Sequence, residues 1–288
     1  MTAVQIVRTK AELRAALGPP RRAGRSIGLV PTMGSLHDGH LSLLAAARER
    51  CDLVVMSLFV NPAQFGERED LDSYPRDEQR DLELAAAAGV DIVFAPATDE
   101  VYPEGFATFV TVEGLTDVLD GDPNRRGAAH FRGVTTIVAK LLNLVAPDLA
   151  FFGQKDAQQA AVIRRMVRDL DFPVEIAVMP TVREADGLAM SSRNQYIPAD
   201  GRERAAGLWL ALEAVRSAAS EGAAVHEALD AGRRVLAEAG IEPEYLEARY
   251  EDDLDPAQSF NGRPVLVAVA ARVGRARLID NLVVGSAD

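Results

Sequence analysis

Between residues 26 and 180 the sequence alternates short runs rich in β-branched and aromatic residues with longer stretches of helical periodicity, and this alternation restricts the fold more than any other feature. The runs are "SIGLVP", "DLVVMSLF", "VDIVFAP", "ATFVTV", "DLAFFG" and "VEIAVMP". Helical patterns start near Asp38 and near Asp77, and cover "GVTTIVAKLLNLV" and "DAQQAAVIRRMVRDL". Such repetition predicts a parallel sheet with crossover helices. Several runs are apolar throughout instead of alternating, as strands covered on both faces are. Ligands of such sheets gather at the carboxyl ends of the strands. "PTMGSLHDGH", "FVNPAQF" and "FFGQKDAQQ" each follow a predicted strand, so separate segments point to one rim.

After about residue 183 the pattern changes. "RERAAGLWLALEAVRSAA" and "AVHEALDAGRRVLAEAG" read as amphipathic helices, and "EYLEARY", "PVLVAVAARV" and "ARLIDNLVV" as a small, largely antiparallel sheet. The expected fold is α/β, with a parallel-sheet domain over 1–183 and a smaller α+β domain over 184–288.

Composition narrows the function classes. A chain of 288 residues with 48% hydrophobic and 26% charged residues reads as soluble and able to bury a large core. No apolar run approaches the roughly 18 residues of a membrane span, and charges stand where a signal peptide would be apolar. A cytoplasmic location is expected. The single cysteine, Cys51, excludes a disulfide framework and beside "DLVVMSLFV" reads as a small buried residue. A net charge of −12 argues against a nucleic-acid binder. An anionic ligand must therefore be held by local cations and backbone donors. Arg21, Arg22 and Arg25 read as a solvated basic loop.

Four segments carry candidate chemistry. In "VPTMGSLHDGHLSLL", Gly34 permits a tight turn, Gly39 permits close backbone approach, and a helix begins near Asp38, offering free N–H groups to an anion. His37 and His40, three apart, share one face of its first turn. Helix-capping histidines and a metal pair are the alternatives, the latter lacking a third ligand nearby. In "FFGQKDAQQ", Gly153 ends a strand, Lys155 supplies a point charge suited to polyphosphate, and Gln159 follows four residues later. Asp156 can cap the helix, bind a ribose hydroxyl or help hold magnesium. "READGLAMSSRNQYI" places Ser191 and Ser192 before Arg193, groups that hold phosphate or line a polar linker. "SLFVNPAQF" offers Asn61 and Gln64 framed by Phe59, Pro62 and Phe65, a mixture suited to a small acid bearing hydroxyls or to an ordinary turn.

These segments, in this order, resemble the pantothenate synthetase family, ligases that join pantoate to β-alanine using ATP. "PTMGSLHDGHLSL" is similar to the family's histidine signature, "SLFVNPAQF" to its pantoate segment, and "YPRDEQRDLELAAAAGVDIVFAP" to its next helix and strand. "HFRGVTTIVAKLLNLVAPDLAFFGQKDAQQ" resembles its central block and "READGLAMSSRN" its serine-arginine loop. The resemblance runs from about 26 to 200 and continues more loosely beyond.

It implies a Rossmann-like nucleotidyl-transferase domain related to class I aminoacyl-tRNA synthetases, a small C-terminal lid, a homodimer, and Mg2+ with ATP. Carried over by position, Met33, Gly34, Ser35, Leu36, His37, Asp38, Gly39 and His40 would contact ATP, with His40 giving a proton or hydrogen bond to phosphate. Gly153, Gln154, Lys155, Asp156, Met190, Ser191, Ser192 and Arg193 would be further ATP contacts, and Val182 would lie on the adenine side. Lys155 and Arg193 would join His37 and His40 in catalysis. Gln64, Gln159 and Asn61 would hold pantoate, Gln64 also facing β-alanine. No protein side chain is assigned to the metal. The family has a short Arg-Pro-Gly step before "HFRGV" where this chain reads the longer "DGDPNRRGAAHFRGV", so no role is carried to Arg125, Arg126 or His130. Gln154 stands where the family has Lys or Glu.

Overall fold

The computed structural model describes residues 4–66, 71 and 74–285. They form two compact units. The first holds β1 (Gln5–Val7), α1 (Lys10–Arg22), β2 (Ile27–Thr32), α2 (Asp38–Arg50), β3 (Leu53–Leu58), α3 (Glu78–Ala87), β4 (Ile92–Phe94), α4 (Thr98–Val101), α5 (Ala128–Val145), β5 (Leu149–Gly153) and β6 (Glu175–Met179). Helix α6 (Ala157–Asp169) joins it from Val162 onward.

All neighbouring strands are parallel, in the order β1-β4-β3-β2-β5-β6. Successive connections run outward from β2 in one direction and from β5 in the other, so β2 and β5 flank the switch point of a doubly wound sheet. Their pairing stops at Leu29 and Ala150, which leaves residues 30–32 and 151–153 unpaired with one another. That gap lies at the carboxyl ends, where the histidine loop begins. Leu29, Val30, Val54, Val55 and Met56 have no exposed surface, the burial on both faces that their unbroken apolar runs predict. Cys51 is buried, and burial raises its thiol pKa, as a packing residue rather than a nucleophile requires.

Three details differ from expectation. "ATFVTV" forms no strand. The Val110 N–H donates to Thr136 Oγ1 at 3.0 Å and its carbonyl accepts from Thr135 Oγ1 at 2.6 Å, so hydroxyls of α5 take the backbone groups a partner strand would have used. Arg21 and Arg22 lie in the last turn of α1 instead of a loop, and Arg21 donates to the Val145 carbonyl. Strand β1 and helix α1, not singled out in the sequence, form an edge of the sheet and its following helix.

The second unit contains residues Gln154–Ala161 and the chain from Pro180 onward. Its elements are α7 (Arg202–Ser220), α8 (Val225–Glu238), β7 (Pro243–Tyr250), β8 (Val265–Val273) and β9 (Ala276–Val284). The strands form the expected antiparallel sheet in the order β7-β8-β9. Leu208, Leu212, Val215, Val267 and Val269 form its core with no exposed surface. Among the described residues no helix is long and apolar enough to cross a membrane.

Candidate active site

In the first unit, β2 ends at Thr32 and the chain turns through Gly34 (φ 84°) and Ser35 (φ 52°) before α2 begins at Asp38. The left-handed pair is held by one buried carboxylate. Asp81 of α3, 1% exposed, accepts from the Ser35 N–H at 2.8 Å and the Leu36 N–H at 2.7 Å. A Cβ on Gly34 would lie 2.8 Å from that carboxylate and 2.9 Å from Leu58 Cδ1, so both the conformation and the space require glycine. Leu36 is 1% exposed and its N–H is taken by Asp81, so its side chain is core rather than a nucleotide contact.

His37 is the residue before the first turn of α2, with extended backbone, and its carbonyl accepts from His40 N at 2.7 Å and Leu41 N at 3.0 Å. The His37 N–H points to His40 Nδ1 at 3.4 Å, and the two rings are 4.1 Å apart. With Nδ1 as acceptor, a neutral His40 carries its proton on Nε2 and is a donor there. Both histidines, with Asp38 and Gly39, thus stand at the positive end of a thirteen-residue helix.

The second expected segment of this unit is a 3-10 turn, Pro62–Gln64. It is pressed against α5: a Cβ on Gly133 would lie 2.2 Å from the Ala63 carbonyl oxygen. His130 Nδ1 lies 2.7 Å from the Gln64 carbonyl, which gives this residue a place that the longer preceding loop had obscured. Gln64, 9% exposed, reaches Met33 Sδ with its Nε2 at 3.2 Å. Asn61 is only 1% exposed. Its amide is used by Gln64 Oε1 (3.0 Å), the Gly133 carbonyl (3.1 Å), the Ala63 N–H (3.3 Å) and the Tyr102 hydroxyl (2.8 Å). Expected as a pantoate contact, Asn61 instead lies behind Gln64, because every hydrogen-bonding direction it has is met by protein.

In the second unit, Gln154, Lys155 and Asp156 form a 3-10 turn immediately after Gly153, the last residue of β5. Asn281 of β9 donates to the carbonyls of both Gln154 and Lys155 at 2.9 Å, and its Oδ1 lies 3.3 Å from Gln154 Nε2. Lys155 Nζ is 3.7 Å from Asp156 Oδ1. Gln159 follows on the first turns of α6, half-buried.

The serine-arginine loop is tied back to its own start. The Met190 N–H donates to the Val182 carbonyl at 3.0 Å, and Arg183 bridges Ala189, so Val182 and Met190 lie side by side. Ser191 Oγ accepts from the Arg193 N–H at 3.2 Å and caps the 3-10 turn Ser192–Tyr196. Arg183 forks onto Asp280 at 2.6 and 3.0 Å, and stacks 3.6 Å from the Trp209 ring centre. Burial pushes the Asp280 carboxyl pKa up, while the Arg183 pair pulls it back.

Asp81, Tyr102, Arg183, Asp280 and Asn281 did not stand out in the sequence. Two of them had a signal. Asp81 shares the buried face of α3 with Ala85, and Asp280 occupies an inward position of β9 between Leu278 and Leu282. A charge in an apolar stripe is a group with a partner elsewhere.

A doubly wound parallel sheet whose switch-point strand leads through a tight turn into a histidine-bearing helix start is the architecture of nucleotide-binding α/β enzymes. Comparison with known proteins narrows the class. The pantoate-beta-alanine ligase family model matches residues 5–283. Pantothenate synthetase of Moorella thermoacetica is 53% identical over 284 residues, covering 97% of this chain and 98% of that protein. The crystal structure of pantothenate synthetase from Thermus thermophilus superposes with a TM-score of 0.91 at 50% identity, covering 97% of this chain and 99% of that one. Pantoate-beta-alanine ligase from Francisella tularensis, solved in complex with beta-gamma ATP and beta-alanine, gives 0.80 at 30% identity, with 99% of each chain covered. The chain belongs to the pantoate-beta-alanine ligase family.

Proposed function

We propose that the enzyme condenses pantoate with β-alanine, using ATP and releasing AMP and pyrophosphate. The observation that carries this reading lies within the first unit. One sheet rim holds both a helix start with two histidines, suited to phosphate, and a neutral donor, Gln64, suited to a small hydroxy acid. The pantoate carboxylate attacks the α-phosphorus of ATP and pyrophosphate leaves. The β-alanine amine then attacks the acyl carbon and AMP leaves, so no covalent enzyme intermediate is required. Anion meets anion in the first step, and positioning and charge neutralisation are what the protein must supply.

His40 is assigned the donor to phosphate through Nε2, with His37 and the first N–H groups of α2 beside it. Lys155, Ser191, Ser192 and Arg193 are assigned to the phosphates, Asp156 to the ribose, and Val182 with Met190 to the adenine side. Gln64 and Gln159 are assigned to pantoate. Among the described residues no group of three or more His, Cys, Asp or Glu side chains is placed to hold a metal. Magnesium is proposed to enter with the triphosphate as part of the substrate, since it is usually held by substrate phosphates, waters and at most one or two carboxylates.

A homodimer is proposed on membership of the family, with sedimentation as its test. The region 184–288 is proposed to act as a lid. Identical solution scattering with and without ATP plus pantoate would count against that. A cytoplasmic location is proposed as well, where ATP is supplied.

The test of the reaction is incubation with magnesium ATP and pantoate, with and without β-alanine. Pantoate-dependent pyrophosphate-ATP exchange, and AMP formation on adding β-alanine, are expected. ADP as product would overturn the acyl-adenylate route.

A further inference from the structure

The orientation of the Asn61 amide is dictated by two backbone groups that have no choice of role. The Ala63 N–H can only donate, which places Oδ1 on its side at 3.3 Å. The Gly133 carbonyl can only accept, which places Nδ2 on its side at 3.1 Å. Asn61 Nδ2 therefore meets the oxygen end of the Gln64 amide at 3.0 Å, and Gln64 is left with its NH2 group directed at Met33 Sδ, 3.2 Å away. A thioether is a weak acceptor, so a better one entering there would take the hydrogen bond. The Tyr102 hydroxyl donates a second hydrogen bond to Asn61 Oδ1 at 2.8 Å. The ring that carries it packs against Phe106 at 5.0 Å and Phe59 at 6.3 Å.

We propose that Asn61 and Tyr102 are positioning residues that set the polarity of the Gln64 amide, so that the acid pocket presents an N–H donor and selects a ligand with an oxygen acceptor at that place. The proposal rests on the assignment of Gln64 to pantoate. Asn61, at 1% exposure, acts without touching the acid. Burial also raises the Tyr102 hydroxyl pKa, to about 12, so its proton stays in place through the neutral range.

The test is a pair of double-mutant cycles on the full chain, with KM for pantoate, KM for ATP and kcat measured for each variant. Gln64→Ala is expected to raise KM for pantoate about tenfold or more. Asn61→Ala is expected to raise it about fivefold and Tyr102→Phe about threefold, each leaving KM for ATP and kcat at saturating pantoate within twofold. In the Gln64→Ala background both substitutions are expected to change KM for pantoate by less than twofold, since the group they orient is gone. Full additivity in that background overturns the proposal alone, because Asn61 and Tyr102 would then act on the acid directly or through general packing. The same holds if both KM values and kcat shift together. An unchanged KM for pantoate in Gln64→Ala overturns the assignment beneath it and takes the proposal with it. Tyr102→Phe removes one hydroxyl from a ring held by its aromatic neighbours, and keeps the test decisive should Asn61→Ala fail to fold.

Discussion

In the first unit the groups assigned to substrate are held by buried partners whose hydrogen bonds are matched one for one: Asp81 under the 34–36 turn, and Asn61 with Tyr102 behind Gln64. In the second they ride on short 3-10 turns among charges, Lys155 beside Asp156 and Arg193 close to the Glu184, Asp186 and Arg202 group in sequence. The difference matches the assigned tasks. A small hydroxy acid is distinguished by where single donors point, which calls for buried, preorganised amides. A triphosphate is recognised by charge, which tolerates a looser hold and is sensitive to salt.

The contrast between the two units is tested most severely at the histidines. His40→Ala is expected to lower turnover by about 10²–10⁴-fold, the range for a positioned acid or base. Near wild-type pyrophosphate exchange would remove His40 from the chemistry. Lys155→Met is expected to cost about 10²–10³-fold in turnover, the usual loss for one preorganised electrostatic donor. A rise confined to KM for pantoate would move Lys155 away from the phosphates. Asp81→Ala leaves the Ser35 and Leu36 N–H groups without their acceptor, at about 1–3 kcal/mol each. Urea unfolding should show a loss of that order, and a change below about 0.5 kcal/mol would mean that water or a relaxed loop satisfies the turn.

A smaller effect is expected at Asn281. Its removal frees two carbonyls on the Lys155 turn, and a net loss of about 0.5–1.5 kcal/mol corresponds to roughly two- to thirteenfold in KM for ATP. An equal rise for pantoate would show general damage.

The least change is expected at Arg202, which holds the Glu184 and Asp186 carboxyls below the ordinary carboxylate range by hydrogen bonding to both. Carboxyls depressed in the folded state contribute stability above their unfolded pKa and lose it as pH falls through the folded one. These are partly exposed pairs, so Arg202→Gln should remove only about 0–1 kcal/mol at neutral pH and flatten the acid limb of the stability profile. An unchanged acid limb would place the acid sensitivity elsewhere.

Legibility followed range along the chain. The histidine loop could be read because its parts are neighbours: a strand end, a glycine, and two side chains one helical turn apart. The Lys155 turn and the serine-arginine loop were readable for the same reason. Asp81 was not, being 46 residues from the Ser35 N–H it binds, nor was Asn281, 126 residues from the Lys155 carbonyl. Asn61 was noticed but misplaced: in sequence its amide looks as available as that of Gln64, and only packing against Gly133 shows which of the two is covered. "ATFVTV" misled because its β-branched pattern is genuine, yet threonine hydroxyls of α5 took its backbone groups.

Sequence alone was enough to set the alternation of strands and helices, the doubly covered sheet, the change of architecture after about residue 183, and the segments that follow the carboxyl ends of the strands. These follow from period, apolar content and turn chemistry, all of them local. Three features came from the folded chain: the strand order, the carboxylate that secures the histidine turn, and which end of the Gln64 amide is held by Asn61. Each depends on a donor meeting an acceptor from a distant part of the chain, and one-dimensional spacing carries no record of that meeting.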